Sequence, residues 1–235
     1  MESPPGLIFR GKFLALRAAK VYNKTVPRAP ALSTPAAKKC KEAAMGREFE
    51  LKYQADAGKI AAIREKFGNF LPITMETAYY DTPDGQLRRR RWMLRRRLEN
   101  GCSVCTLKTP LPDGSRGEWE TECDSILDAV SMLCNLGAPA ELSAITRAGL
   151  IKICAARFTR LASALEISGC TLELALDQGC FLGGGQEKAF AEVEVELKGG
   201  SEIAAVAFAR ELAKEFSLTP EPKSKSQRAM ELIRP

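Results

Sequence analysis

The chain of 235 residues contains no histidine. That absence removes Ser-His and Cys-His nucleophile pairs and every His-ligated metal site. Any catalysis must fall to carboxylates, Lys, Arg, Tyr, Cys or a carboxylate-bound metal. Aromatic residues are scarce, with two Trp and four Tyr, so surfaces on which a ring can stack are few. No apolar run approaches the roughly 20 residues needed to span a bilayer. Leu7-Ile8-Phe9 is interrupted by Arg10 and Lys12, which makes a poor secretory core. No membrane partner is therefore expected. The eight cysteines, at 40, 102, 105, 123, 134, 154, 170 and 180, follow no regular framework. They read as reduced thiols in a cytoplasmic protein. Cys102 and Cys105 form the one C-x-x-C, and with no second pair and no histidine a zinc site is not expected.

The net charge of +6 is unevenly spread. Residues 1–44 hold nine Lys/Arg and two Glu, a balance of +7, and the rest of the chain carries −1. A nucleic-acid binder needs an exposed positive stripe, and a nearly neutral body argues against nucleic acid as a partner. Residues 1–44, rich in Ala, Pro, Lys and Arg, read as a basic extension outside the fold. A transit-like segment is one alternative. Translation upstream of a start at Met45 is another. Residues 45–235 form the expected domain.

From residue 46 the pattern predicts strands near 46–55, 70–81, 92–99, 102–110, 115–123, 156–168, 171–182 and 188–198. Helices are predicted near 56–68, 125–136, 144–153, 201–216 and 224–233, with a helical turn from Gln86 to Arg90. Asn100-Gly101, Asp113-Gly114, Ser168-Gly169 and Gly183-Gly184-Gly185 are turn chemistry. Asp124 reads as the cap of the helix that follows it.

Alternation within the strands is the informative feature. Residues i, i+2 and i+4 of a strand share a face. Glu48, Glu50 and Lys52 share one, and Glu192, Glu194, Glu196 and Lys198 another. Arg95 with Arg97, Thr106 with Lys108, Arg116 with Glu118 and Glu120, and Glu173 with Asp177 continue the series. Leu, Val, Phe and Trp119 occupy the opposite faces. One reading is an antiparallel sheet with a solvated polar face. The other is an α+β fold whose eight antiparallel strands close into a barrel, helices packed outside and charges lining the lumen. The strong Arg and Glu bias, with few neutral polar residues between, favours the second. Arginine and lysine suit phosphate oxygens. Concentrated carboxylates imply Mg²⁺ or Mn²⁺. The implied ligand is a metal-bound polyphosphate.

The same residues resemble the signature of the CYTH superfamily, the triphosphate tunnel metalloenzymes. Glu48-x-Glu50-x-Lys52, Tyr80-Asp81-Thr82-Pro83, Leu94-Arg95-Arg96-Arg97 and Leu107-Lys108-Thr109 occur in order. Arg116-Gly117-Glu118-Trp119-Glu120, Leu174-Ala175-Leu176-Asp177-x-Gly179, Glu192 to Lys198 and Lys223-Ser224-Lys225 complete the run. The resemblance implies an eight-stranded tunnel and metal-assisted phosphoryl transfer. It implies that Glu48, Glu50, Glu194 and Glu196 hold metal, with Glu118, Glu120, Glu173 and Asp177 as further acidic candidates. Lys52, Arg95, Arg97, Lys108, Arg116 and Arg160 are the implied phosphate ligands, and Lys223 and Lys225 are placed to close one mouth. Catalysis is then assigned to Glu48, Glu50, Lys52, Glu194 and Glu196. Glu192 and Lys198, near strand ends, read as solvated, and the run Arg88 to Arg91 reads as a solvated helix face or a rim. Hydrolysis of inorganic tripolyphosphate is favoured over an organic triphosphate, because Trp119 is predicted to face away and no stacking platform is evident. A polyphosphate-binding module without turnover is the remaining alternative.

Overall fold

The computed structural model describes residues 49–111 and 116–233. The basic extension, Glu48 and the Asp113-Gly114 turn lie outside the described residues. Among the described residues there are nine strands: β1 (Glu50–Gln54), β2 (Leu71–Asp81), β3 (Met93–Glu99), β4 (Cys102–Pro110), β5 (Arg116–Glu122), β6 (Ile151–Ile167), β7 (Cys170–Gly183), β8 (Gln186–Gly199) and β9 (Thr219–Pro220). The helices are α1 (Ala57–Phe67), α2 (Gln86–Arg89), α3 (Ile126–Asn135), α4 (Glu141–Ile145), α5 (Glu202–Glu215) and α6 (Lys225–Glu231). The helix predicted near 144–153 is replaced by α4, a 3-10 turn at Thr146–Ala148 and the start of β6.

The strands form one antiparallel sheet in the order β5-β4-β3-β2-β6-β7-β8-β1-β9. This corrects the expected closed eight-stranded barrel, because the sheet is open. Among the described residues β5 pairs only with β4, and the free edge of β1 is taken by β9. In that pairing Tyr53 lies opposite Pro220, a residue with no backbone N–H to extend a ladder. Alternation specifies which side chains share a face. It carries no information on whether the first and last strands meet, so a curled open sheet and a barrel read alike.

Three hairpin turns place both loop residues at positive φ, at Asn100-Gly101, Ser168-Gly169 and Gly184-Gly185, as the right-handed twist of paired strands requires. Register slips between Tyr79 and Tyr80 of β2, and between Thr171 and Leu172 of β7. Such bulges bend a sheet. At Gly179 the neighbouring strand comes so close that a Cβ would lie 2.0 Å from the Arg157 carbonyl oxygen.

Two helical layers cover the apolar face. α1 and α5 pack Ile60, Ile63, Phe208 and Leu212 on Leu172, Leu174, Val193 and Val195. α3 and α4 pack Val130, Leu133 and Leu142 on Cys105, Leu107 and Trp119. Each such fully buried side chain contributes about 1.5–3 kcal/mol. Caps start the helices: Asp56 accepts from the Lys59 N–H and Ser201 from the Ala204 N–H. Ser125, rather than the expected Asp124, caps α3. α6 stands apart from both layers. It begins with a Ser224–Gln227 capping box and lies on the charged face, packing Ala229 beside Met75, Tyr79 and Phe158.

Gly179→Ala should destabilise the fold by about 1–3 kcal/mol, the usual range for forced overpacking. A denaturant midpoint matching the unsubstituted chain would show that β6 and β7 separate freely there.

Candidate functional site

On the charged face, cross-strand register builds an acidic wall from β7, β8 and β1. Glu196 lies opposite Glu173 on one side and Glu50 on the other. Two residues along, Glu194 lies opposite Ala175 and Lys52. Two further, Glu192 lies opposite Asp177 and Gln54, with Arg160 of β6 beyond Asp177. A basic wall comes from β3, β4 and β5. Arg95 lies opposite Thr106, Met93 opposite Lys108, and Lys108 opposite Glu118.

The walls meet around a cavity of about 260 Å³. Glu50, Lys52, Arg95, Arg97, Lys108, Arg116, Arg160, Glu194, Glu196 and Lys225 line it, with Tyr79, Met93, Ser224 and Ser226. The open sheet thus curls far enough to bring β1 and β5 to one space.

The basic wall is partly braced. Arg97 Nε donates to Thr77 Oγ1 at 3.1 Å and Arg95 Nε to Thr106 Oγ1 at 3.2 Å. Lys108 pairs with Glu118 at 2.9 Å, and Arg95 with Glu120 at 3.4 Å. Burial, together with the neighbouring charges of Arg95 and Arg160, pushes the Arg97 guanidinium below its ordinary value. Arg97 Nη1 also pairs with Glu99 at 3.4 Å, so Glu99, Glu118 and Glu120 together brace the cations of this wall.

The acidic wall has two parts. Deep in the sheet, ligand atoms of Asp177, Glu192 and Glu194 lie within 4.8 Å of one another. That spacing suits a bound cation, and the cation in contact with all three is the Lys225 ammonium. Its Nζ lies 2.7 Å from Asp177 and 2.6 Å from Glu194, and it also pairs with Glu192. Arg160 grips Asp177 with Nε at 2.9 Å and Nη2 at 2.8 Å, and also pairs with Glu194. Arg228 pairs with Glu192 and lies over the Phe181 ring. Burial alone would raise the Glu194 carboxyl, but Lys225 and Arg160 outweigh it and hold the group well below its ordinary value. Burial alone would lower Lys225, but Glu194, Asp177 and Glu192 hold it well above its own. Glu192 is pushed up by burial and by the adjacent Glu194 charge, despite Lys225 and Arg228. Nearer the opening, the Glu50 and Glu196 side chains are 25% and 21% exposed. Lys52 approaches Glu50 at 3.9 Å, and Lys198 pairs with Glu196 at 2.6 Å.

Several residues named from sequence stand elsewhere. Asp177 is fully buried behind the cavity surface. Glu118 and Glu120 brace the basic wall, opposite Lys108 and Thr106. The Lys223 side chain, 54% exposed, pairs with Glu231, while its carbonyl accepts from Lys52 at 3.1 Å. Glu192, read as solvated, is wholly buried. β8 extends to Gln186 and Gly199, so this residue is mid-strand rather than near an end. Arg228 was not singled out, although its position one turn after Lys225 places both cations on one side of α6. Among the thiols, burial raises Cys105 to about 11 and Cys154 to about 12, which keeps them protonated.

A second space of about 500 Å³ shares Tyr79, Met93, Lys108, Arg116, Ser224 and Ser226 with the first. It adds Tyr80, Trp92, Pro110, Ile153 and Met230, together with Arg88 and Arg91. Trp92 was not singled out from sequence; it falls inside the strand expected near 92–99, and in the structure it stands just before β3.

The CYTH domain profile matches residues 46–230, and the chain belongs to that family. Among solved structures, a Hippeastrum protein provisionally named an adenylyl cyclase, and described as having a dominant triphosphatase activity, is similar at 18% identity and a TM-score of 0.59. The match covers 80% of this chain and 97% of that one. A Bacillus halodurans protein, provisionally named an adenylate cyclase, matches at 23% identity and a TM-score of 0.52, over 77% and 96% of the two chains. A protein from Pyrococcus horikoshii OT3 matches at 22% identity and 0.52, over 78% and 98%.

Lys225→Met leaves three buried carboxylates undercompensated and should cost about 3–5 kcal/mol. The stability supplied by Glu194 is complete above its unfolded value near 4.5 and is lost as pH falls through the lower folded value. That supplied by Lys225 is complete below 10.5 and is lost as pH rises through the higher folded value. Glu192 acts in the opposite sense, since its protonation on acidification relieves a buried charge. Urea midpoints measured against pH should therefore plateau between these limits, and the Met variant should lose least at the acid end. An equal loss at every pH would show that Lys225 acts by packing rather than by charge.

Proposed function

We propose that the chain is a divalent-metal-dependent hydrolase of triphosphates, with inorganic tripolyphosphate cleaved to diphosphate and phosphate. The observation that carries this reading is the cavity with a basic wall of Arg95, Arg97, Lys108 and Arg116 facing the carboxylates of Glu50 and Glu196. The triphosphatase activity described for the Hippeastrum protein of like fold agrees with it.

The donor chemistry fits Mg²⁺ or Mn²⁺ at one place better than at the other. Glu50 and Glu196 are register partners, partly open to the cavity, and offer only oxygen, as these hard cations prefer. Glu48 lies outside the described residues and joins this set as a proposal from the sequence. The trio of Asp177, Glu192 and Glu194 already holds Lys225 and Arg160, so its role is structural. Bound to Glu50 and Glu196, the ion would supply charge neutralisation at phosphate oxygens and a water of lowered pKa.

The chain's own residues do the rest. Arg95 and Arg97, fixed by Thr106 and Thr77, present planar donors to phosphoryl oxygens. Lys108 and Arg116 extend the cationic track. Lys52, held by the Lys223 carbonyl, sits between the acidic wall and the substrate space. These donors are positioned before substrate arrives, so they stabilise charge that develops in the transition state without reorganising.

The second space favours a second reading, an organic triphosphate whose ring system rests against Trp92, Tyr80 and Met230 while its phosphates reach the basic wall.

Phosphate release should be measured from tripolyphosphate, ATP and thiamine triphosphate, each with Mg²⁺, Mn²⁺ and EDTA. Turnover in thorough chelation would contradict metal dependence. Glu196→Gln should lose rate that excess metal partly restores. Arg97→Ala should lose about 2–4 kcal/mol of transition-state stabilisation, as for other preorganised donors, with no restoration. Identical responses of the two variants to metal would contradict the division between the walls. Trp92→Ala should raise KM for an organic triphosphate and leave tripolyphosphate unchanged. Equal KM values for both substrates, before and after the substitution, would remove the second reading.

A further inference from the structure

β3 carries three arginines in succession, and each gives its Nε–H to a hydroxyl on a neighbouring strand. Arg95 donates to Thr106 Oγ1 at 3.2 Å, Arg96 to Ser103 Oγ at 2.9 Å and Arg97 to Thr77 Oγ1 at 3.1 Å. Arg95 and Arg97 line the cavity, and strand alternation puts Arg96 on the opposite face. Register sets the two cavity contacts. Arg95 lies directly opposite Thr106 of β4, and Arg97 directly opposite Thr77 of β2. The pair is thus tied from both flanks of β3.

The kind of acceptor matters. Thr77 and Thr106 are buried, at 2% and 0% exposure. A hydroxyl fixes a guanidinium without cancelling its charge, as a carboxylate would. The carboxylates that approach these arginines do so at terminal nitrogens. Arg97 Nη1 meets Glu99 and Arg95 Nη2 meets Glu120, both at 3.4 Å, and the two glutamate side chains are 40% and 47% exposed. Water screens such pairs. Among the described residues, Arg95 Nη1 and Arg97 Nη2 have no partner, so each arginine keeps one terminal nitrogen for a ligand. Thr106 is itself held, because its hydroxyl donates to Glu120 Oε1 at 2.7 Å. That commits its proton and leaves its lone pairs for Arg95. β-Branching restricts χ1 of both threonines, which keeps each hydroxyl aimed.

We propose that Thr77 and Thr106 are positioning residues of the phosphate site, acting through Arg97 and Arg95. The inference rests on reading the cavity as a triphosphate site. By holding Nε, each threonine fixes the plane of its guanidinium and decides which nitrogen reaches the phosphate chain. Donors fixed in advance need no reorganisation as charge develops. Removing the hydroxyl leaves a buried Nε–H without an acceptor, and the guanidinium turns away to find one.

Thr77→Val and Thr106→Val keep the shape and remove the acceptor. The readouts are affinity for tripolyphosphate by calorimetry in EDTA, and kcat and KM with Mg²⁺. Each variant should lose about tenfold in affinity and in kcat, the size expected for one hydrogen bond to a charged group. Thr77→Ser and Thr106→Ser should recover most of the loss. Ser103→Ala, which removes the same kind of bond on the opposite face, should leave both readouts within about twofold of the unsubstituted chain, since its arginine is not at the cavity. In an Arg97→Lys background no guanidinium remains to be oriented, so Thr77→Val should have little further effect, and Thr106→Val likewise in Arg95→Lys. An equal loss in the arginine and lysine backgrounds would overturn the proposal by showing that the threonines act through packing. Unchanged affinity and kcat in both Val variants would also overturn it. If the chain binds tripolyphosphate without cleaving it, the reaction proposed for the cavity fails, and the affinity measurements still decide the role of the threonines.

Discussion

The contact of the Lys225 ammonium with Asp177, Glu192 and Glu194 is the interaction on which the rest of the site depends. Three carboxylates packed between strands would repel one another and resist removal from water. Neutralisation by Lys225, Arg160 and Arg228 makes that packing tenable. Two of these cations come from α6, so the helix is drawn onto the charged face by electrostatics. Phe158, Phe181 and Phe190, stacked beneath Lys225 and Arg228, then give it an apolar seat.

With the deep carboxylates satisfied, the shallower ones acquire a different character. Glu50 and Glu196 keep part of their surface open to the cavity, and their lysine neighbours are themselves partly exposed. Across the space, Arg97 borders Arg95 and is held below its ordinary value although Glu99 pairs with it at 3.4 Å. The sheet therefore holds a charge-balanced, buried foundation beneath a polarised cavity. That layering needs no closed barrel. It needs only enough curl to face β1 toward β5, with α6 filling part of the space between.

Much of this was legible in the sequence. β3 and β4 appear where alternation and Asn100-Gly101 placed them, and the apolar parity of Leu172, Leu174 and Leu176 marks the side that α1 and α5 cover. The family resemblance agrees with the profile match over residues 46–230. What alternation does not encode is how a sheet ends. Closure was inferred from a one-sided charge pattern, whereas Pro220 at the β1 edge leaves the ladder open. Nor does alternation encode depth. Glu192 and Glu196 share a face, yet one is wholly buried and the other partly open, because only the first lies beneath α6. Arg88 and Arg91, read from sequence as a solvated helix face or a rim, line the second space with Trp92. Arg88 belongs to α2 and Arg91 to the turn after it, where direction is set by local backbone such as the positive φ of Arg91 and not by a repeat.

The central claim is that Glu50 and Glu196 hold the divalent ion while the Asp177 trio serves the fold. Mn²⁺ binding followed by electron paramagnetic resonance tests this without reference to turnover. Glu50→Gln/Glu196→Gln should weaken Mn²⁺ binding at least tenfold while the thermal transition stays close to that of the unsubstituted chain. Asp177→Asn should do the reverse, lowering the transition and leaving Mn²⁺ affinity within a few-fold. Undiminished Mn²⁺ binding in the Glu50/Glu196 variant, with binding lost in Asp177→Asn, would contradict the account.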